Sequence, residues 1–193
     1  MNRFDRMRHG LRGMFLNMLG KPEAAIRAYR DSLAADPGHV PTLCMLGWLE
    51  ARQERWSASE SWLTLALELD PNDAHTWFNL AYARDKGGQD EAAVAAFKRA
   101  AELDPNNDRA WYGLGMLHAR RGRHREAAQA LTEAGRLQPM NGLAWYALGM
   151  AWHHCNEPDK VTGVIEHTLK HDPQTAQRLI RDAGRSDYAH HLN

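Results

Sequence analysis

Long apolar runs, cysteine and a surplus of either charge are all scarce in this 193-residue chain. Each shortage removes a class of protein. No run approaches the roughly 20 apolar residues that span a bilayer. The two cysteines, Cys44 and Cys155, stand far apart with no CxxC spacing. That excludes a disulfide scaffold or a Cys-rich zinc site and suits a reducing compartment, so the cytoplasm is the expected location. Lys plus Arg number 24 against 24 Asp plus Glu, a formal charge of zero. A general nucleic-acid or anionic-membrane binder would carry a basic excess, although balance over the whole chain leaves room for a local patch. No nucleophile motif, Gly-rich phosphate loop or supported carboxylate pair occurs, so neither catalysis nor a cofactor is expected.

What is present is periodic. The tripeptides WFN, WYG and WYA begin at Trp77, Trp111 and Trp145, 34 residues apart each time. Pro37, Pro71, Pro105, Pro139 and Pro173, each after Asp or Gln, keep the same interval of 34. Two markers on one ruler mean an internal repeat. The units are 6–39, 40–73, 74–107, 108–141 and 142–175, after a lead-in at 1–5 and before a C-terminal capping helix and tail at 176–193.

Each unit reads as two helices. A break near its fifteenth position carries Gly20, Gly88, Gly122 and Asn156, residues that tolerate the left-handed helix ending, with Glu54 as the exception. Pro22 and Pro158 fall where a second helix starts and a missing N–H costs little. Position 8 is always small (Gly13, Gly47, Ala81, Gly115, Gly149), which permits close helix approach. The residue before each periodic proline avoids helical geometry, and Asp73, Asn107, Asn141 and Thr175 are placed to cap the following helix. The opening stretch repeats Phe4, Met7, Leu11, Met14, Phe15 and Met18 at helical spacing, so it reads as the first helix of the fold rather than as a signal peptide.

This pattern resembles the tetratricopeptide repeat, W-x2-L-G-x2-Y then A-x3-F then P, over essentially the whole chain. Unit one departs from it, with His9 and Arg12 where Trp and Leu are expected. The resemblance implies an all-α, right-handed α-solenoid of five stacked helix-turn-helix units, whose single pairs cannot bury their apolar faces alone. It also implies a non-catalytic module, an adaptor, scaffold or chaperone, that holds a partner's peptide or helix in a concave groove.

Carried over by position, that groove takes Cys44, Phe78, Tyr112 and Tyr146 at position 5, and Met14, Trp48, Tyr82, Met116 and Met150 at position 9. Asn79 at position 6 and His153 at position 12 join them, with Arg109 and Arg120 available to an acidic residue of the ligand. Aromatics and methionines offer area and adaptability, although tyrosines at position 5 can equally pack between helices. The carboxylate clamp of some family members is incomplete, because Gly10 and Met14 stand where Lys and Asn are needed. An alternative is self-assembly, through Trp56 and Trp62 or through the N-terminal helix of one copy in the groove of another. A metal- or haem-linked role through His153, His154, Cys155, His167 and His171 lacks a third ligand fixed by spacing, and no metal is expected. The arginine-rich turn at 120–125 reads as a solvated helix end or as a dock for an acidic partner.

Overall fold

A computed structural model of the chain describes residues 3–192, so the lead-in at 1–5 and the tail at 176–193 each reach beyond the described residues. The fold is all-α, with no strand among the described residues. The helices are α1 (Arg3–Met18), α2 (Pro22–Ala35), α3 (Val40–Arg52), α4 (Trp56–Leu69), α5 (Ala74–Lys86) and α6 (Asp90–Leu103), then α7 (Asp108–Arg120), α8 (His124–Leu137), α9 (Gly142–His154), α10 (Pro158–His171) and α11 (Pro173–Asp182). A 3-10 turn, Ser186–His191, follows. They form two compact units, one through Leu103 and one from Asp104.

In the first unit α1 packs on α2, α3 on α4 and α5 on α6, and α2 and α4 each also touch the helix that follows. Leu43, Leu46 and Leu49 of α3 meet Ile26, Tyr29 and Leu33 of α2 in one core, and Leu63 and Leu67 of α4 meet Leu80 and Ala83 of α5 in another. Glu50 is 1% exposed within this unit, where Arg30 donates to it at 2.8 Å and Arg55 at 3.2 Å. Two guanidiniums on one buried carboxylate replace the water it loses, so removing either would leave a costly charge. The apolar spacing of α1 does make a helix. Phe4, Met7, Leu11, Met14, Phe15 and Met18 nevertheless face solvent, and the small or polar Gly13 and Arg6 approach α2 instead.

In the second unit α7 pairs with α8 and α9 with α10, while α11 rests on both α9 and α10. The close approach at position 8 is visible at Gly115, where an added Cβ would stand 2.6 Å from Leu131 Cγ. At Gly149 the occupant of that slot is Leu179, from α11. The tail therefore does more than solvate the last pair, because its Leu179 and Ile180 are fully buried.

The breaks inside the helix pairs obey a single rule. Gly20, Gly88, Gly122, Asn156 and also Glu54 all take positive φ, from 56° to 77°. Three expected caps form, with Asp73 accepting from the His75 N–H, Asn107 from Ala110 and Asn141 from Ala144. The fourth differs. Helix α11 starts at Pro173, and the Asp172 carboxylate caps it by accepting from the Thr175 N–H at 3.1 Å, so Thr175 is the capped residue rather than the cap. An ionised Asp is the better acceptor at a helix N-terminus, and Pro173 needs no N–H partner there.

Candidate functional site

The two rulers of the sequence meet in one hydrogen bond. The indole Nε1–H of Trp77 donates to the Pro71 carbonyl at 2.9 Å, that of Trp111 to Pro105 at 3.0 Å and that of Trp145 to Pro139 at 3.0 Å. Each Trp thus ties the start of its helix to the turn six residues earlier, and the constant offset of Trp from Pro follows. This pins the register of the residue after it, at position 5, and of position 9 one turn on.

In the first unit the position 5 side chains turn into packing. Cys44 Sγ lies 3.0 Å from Thr76 Oγ1 on α5, and burial pushes its thiol pKa up against the lowering effect of that hydrogen bond. Phe78 meets Phe97 edge-on at 5.8 Å, and Asn79 beside it is half-buried. Position 9 stays open. Trp48 and Tyr82 are exposed and carry cations from one turn later, Arg52 at 4.7 Å from the Trp48 ring and Lys86 at 5.7 Å from Tyr82. Met14 is exposed on α1.

The second unit brings the same positions around a cavity of about 320 Å³. Tyr112 and Met116 of α7 and Tyr146 and Met150 of α9 line it, along with His124, His154 and Arg178. Arg178 stacks on the Tyr146 ring at 4.2 Å, while the Tyr146 hydroxyl donates to Asp182 at 2.7 Å. That hydrogen bond first, then burial, raises the Tyr146 pKa, so its phenol stays neutral. The rings of His124 and His154 stack at 4.5 Å, with His153, exposed, 5.5 Å from His154. A mostly apolar wall with one guanidinium and two imidazoles can take an apolar side chain with a carboxylate or polar group beside it.

Of the expected groove residues, Tyr112, Met116, Tyr146 and Met150 therefore share one cavity. Cys44 and Phe78 are spent on helix contacts, and Arg109 and Arg120 are exposed but do not line the cavity. The cavity also has His124, His154 and Arg178, which were not expected in the groove. Arg178 lies outside the 34-residue period, so no repeat position pointed to it.

Other candidates are taken up elsewhere. His167 stacks on Trp145 at 3.8 Å with its Nε2 3.2 Å from the Pro139 carbonyl. Among the described residues no three His, Cys, Asp or Glu side chains converge as metal ligands. Trp56 lies edge-on to Tyr82 at 6.1 Å, and Trp62 packs against the α2–α3 core beneath Arg30. Both are half-buried. In the arginine-rich turn, Arg125 pairs with Glu157 at 3.4 Å.

The family model for the Cilia and flagella-associated protein 70 C-terminal domain, a tetratricopeptide-repeat model, matches residues 9–184. No curated protein matches the chain in sequence. Among solved structures, the MamA protein is similar at 25% identity and a TM-score of 0.82, over 90% of this chain and 94% of MamA. YrrB, described as a TPR protein with an unusual peptide-binding site, has 19% identity and a TM-score of 0.76, over 90% of each chain. PilF of Pseudomonas aeruginosa has 16% identity and a TM-score of 0.72, over 94% of this chain and 88% of PilF. The last two likenesses concern the fold.

Proposed function

We propose, from the premise that this chain belongs to the Cilia and flagella-associated protein 70 C-terminal domain family of tetratricopeptide-repeat proteins, that it is a non-catalytic protein-interaction module. Its partner is another protein, held through a peptide or helix segment by the position 5 and 9 side chains. The observation that carries this reading is the cavity of about 320 Å³ between α7 and α9, because Tyr112, Met116, Tyr146 and Met150 converge there from two helices of successive pairs. A cavity of that size accommodates a bulky side chain, and exposed aromatic and Met surface is characteristic of adaptable protein recognition. The peptide-binding site described for YrrB is consistent with this use of the fold.

The anchor of the ligand is an apolar side chain seated against Met116 and Met150. A neighbouring acidic group faces Arg178 rather than Arg109 or Arg120. Within the first unit, the exposed Trp48 and Tyr82 offer aromatic contact of their own. An adaptor or scaffold role in the reducing cytoplasm accords with this surface and with two cysteines lacking a paired spacing.

The test is affinity capture from native extract with the Tyr112→Ala/Met116→Ala protein run in parallel. Capture of a partner by the native chain and its loss from the variant, at unchanged helicity, is the expected result. Identical partner sets for both proteins would remove the cavity from the working surface.

A further inference from the structure

Helix α1 carries a surface of which the peptide-binding reading uses only Met14. Six large apolar side chains of α1, Phe4, Met7, Leu11, Met14, Phe15 and Met18, are 50% to 78% exposed, and Leu19 in the turn after it is exposed as well. At 100° per residue the six helical ones fall in one arc of roughly 100°. Taking 150–250 Å² for a large side chain, the stripe exposes on the order of 700 Å², more than the largest patch of an ordinary monomer. The opposite face of α1 is the one in use: Gly13 sits against Tyr29, Arg6 donates to Asp36 at 2.7 Å, and the Arg6 carbonyl accepts from Ser32.

The border of the stripe is basic. Arg8 and Arg12 stand along one edge, where the only acid on α1, Asp5, lies 3.6 Å from Arg8. Beyond Arg12 opens a second cavity of about 320 Å³, between α1 and α2, lined by Arg12, Arg27 and Arg30 with Asp31. Arg30 is engaged by Glu50 and Asp31 lies 3.9 Å from His9. Arg12 and Arg27 are exposed, with Glu23 the acid that feels the charge of Arg27. Guanidiniums in such a concavity match phosphate oxygens, which accept two parallel N–H donors.

We propose that α1 docks this protein on the surface of an anionic bilayer, with the stripe entering the acyl boundary and the arginine cavity receiving a lipid phosphate. Charge selects this occupant. Two copies joined stripe to stripe in antiparallel fashion would bring Arg8 and Arg12 of both onto a shared rim, where like charges oppose association. An anionic leaflet is complementary to that rim, and apolar side chains entering just below the headgroups suit an in-plane amphipathic helix. Shape points the same way. The stripe is the convex flank of a single helix, which a fluid interface accepts without a matching groove. The balanced charge of the whole chain is compatible with this, because the surplus is local to α1 and α2.

The experiment is co-sedimentation of the full chain with vesicles of phosphatidylcholine and phosphatidylserine in equal parts, against vesicles of phosphatidylcholine alone. Binding to the mixed vesicles alone, weakening with added salt, is expected. Arg12→Gln/Arg27→Gln should lower the apparent vesicle affinity about 25-fold, at roughly fivefold for each arginine near the surface. Phe15→Ser/Met18→Ser should abolish sedimentation, and since these four side chains are exposed, circular dichroism should show unchanged helicity. Failure to sediment with the mixed vesicles would overturn the proposal, as would binding that both double variants retain. A solution dimer that Phe15→Ser/Met18→Ser converts to monomer by light scattering would overturn it too, by giving the stripe to a second copy.

Discussion

Glu54 is the residue whose backbone pays for the repeat. It ends the α3 turn at φ 57°, where the equivalent breaks carry Gly or Asn. A Cβ in the left-handed region costs about 1–2 kcal/mol, of which glycine's greater freedom in the unfolded chain returns a part. Glu54→Gly should therefore raise stability by about 0.5–1 kcal/mol, read as a higher urea midpoint at unchanged slope. The tryptophans make the opposite case. In Trp111→Phe the ring remains but the donor to the Pro105 carbonyl is lost. A loss of about 1 kcal/mol, or roughly 2–4 °C in the thermal midpoint, is expected. An unchanged melt would mean that the Trp–Pro period reflects ring packing alone. Both effects belong to single side chains, and neither needs the partner.

At the scale of an element, α11 decides how the second unit ends. Its Leu179 fills the slot at Gly149 and its Arg178 and Asp182 hold Tyr146, so its docking shapes the α7–α9 cavity as well. Its start depends on Asp172, whose pKa is lowered by the Thr175 hydroxyl and backbone N–H. Asp172→Ala removes the cap and should cost about 1 kcal/mol at neutral pH. The sign with pH follows from the lowered value. The carboxylate's contribution is complete above the ordinary Asp range, near 3.8, and disappears as pH falls through the lower folded value. Thermal melts of the two proteins should thus differ at pH 7 and converge in acid. A difference that persisted below that window would assign the effect to lost packing rather than to the charged cap.

At the scale of the whole molecule, charge governs behaviour in solution. Twenty-four cations offset 24 anions, 11 histidines lie in reserve, and the isoelectric point is about 7.2. A chain without net charge has little repulsion between copies, and this one also exposes the apolar stripe of α1. Solubility should be lowest near neutral pH, close to the isoelectric point, and rise as acid gives the chain a net positive charge. Static light scattering across pH at constant ionic strength measures this. Scattering that did not fall on acidification would place self-association in apolar contact alone.

The sequence alone determined the repeat, its period of 34, the helix breaks and most of the caps. These are local or strictly periodic. A left-handed residue, a proline or a small side chain has the same steric consequence in every copy. Even Trp and Pro, read as two markers, were already one hydrogen bond seen from both ends. Part of the α7–α9 cavity lining was legible for the same reason, because Tyr112, Met116, Tyr146 and Met150 occupy equivalent positions of neighbouring repeats. The tertiary structure decided what periodicity cannot carry. It assigned Cys44 and Phe78 to helix contacts, brought Arg178 in from beyond the last repeat and turned the apolar side of α1 to solvent. Helical spacing shows that apolar residues share a face. Whether a neighbouring helix covers that face depends on how the helices pack, which is set by contacts distant in sequence.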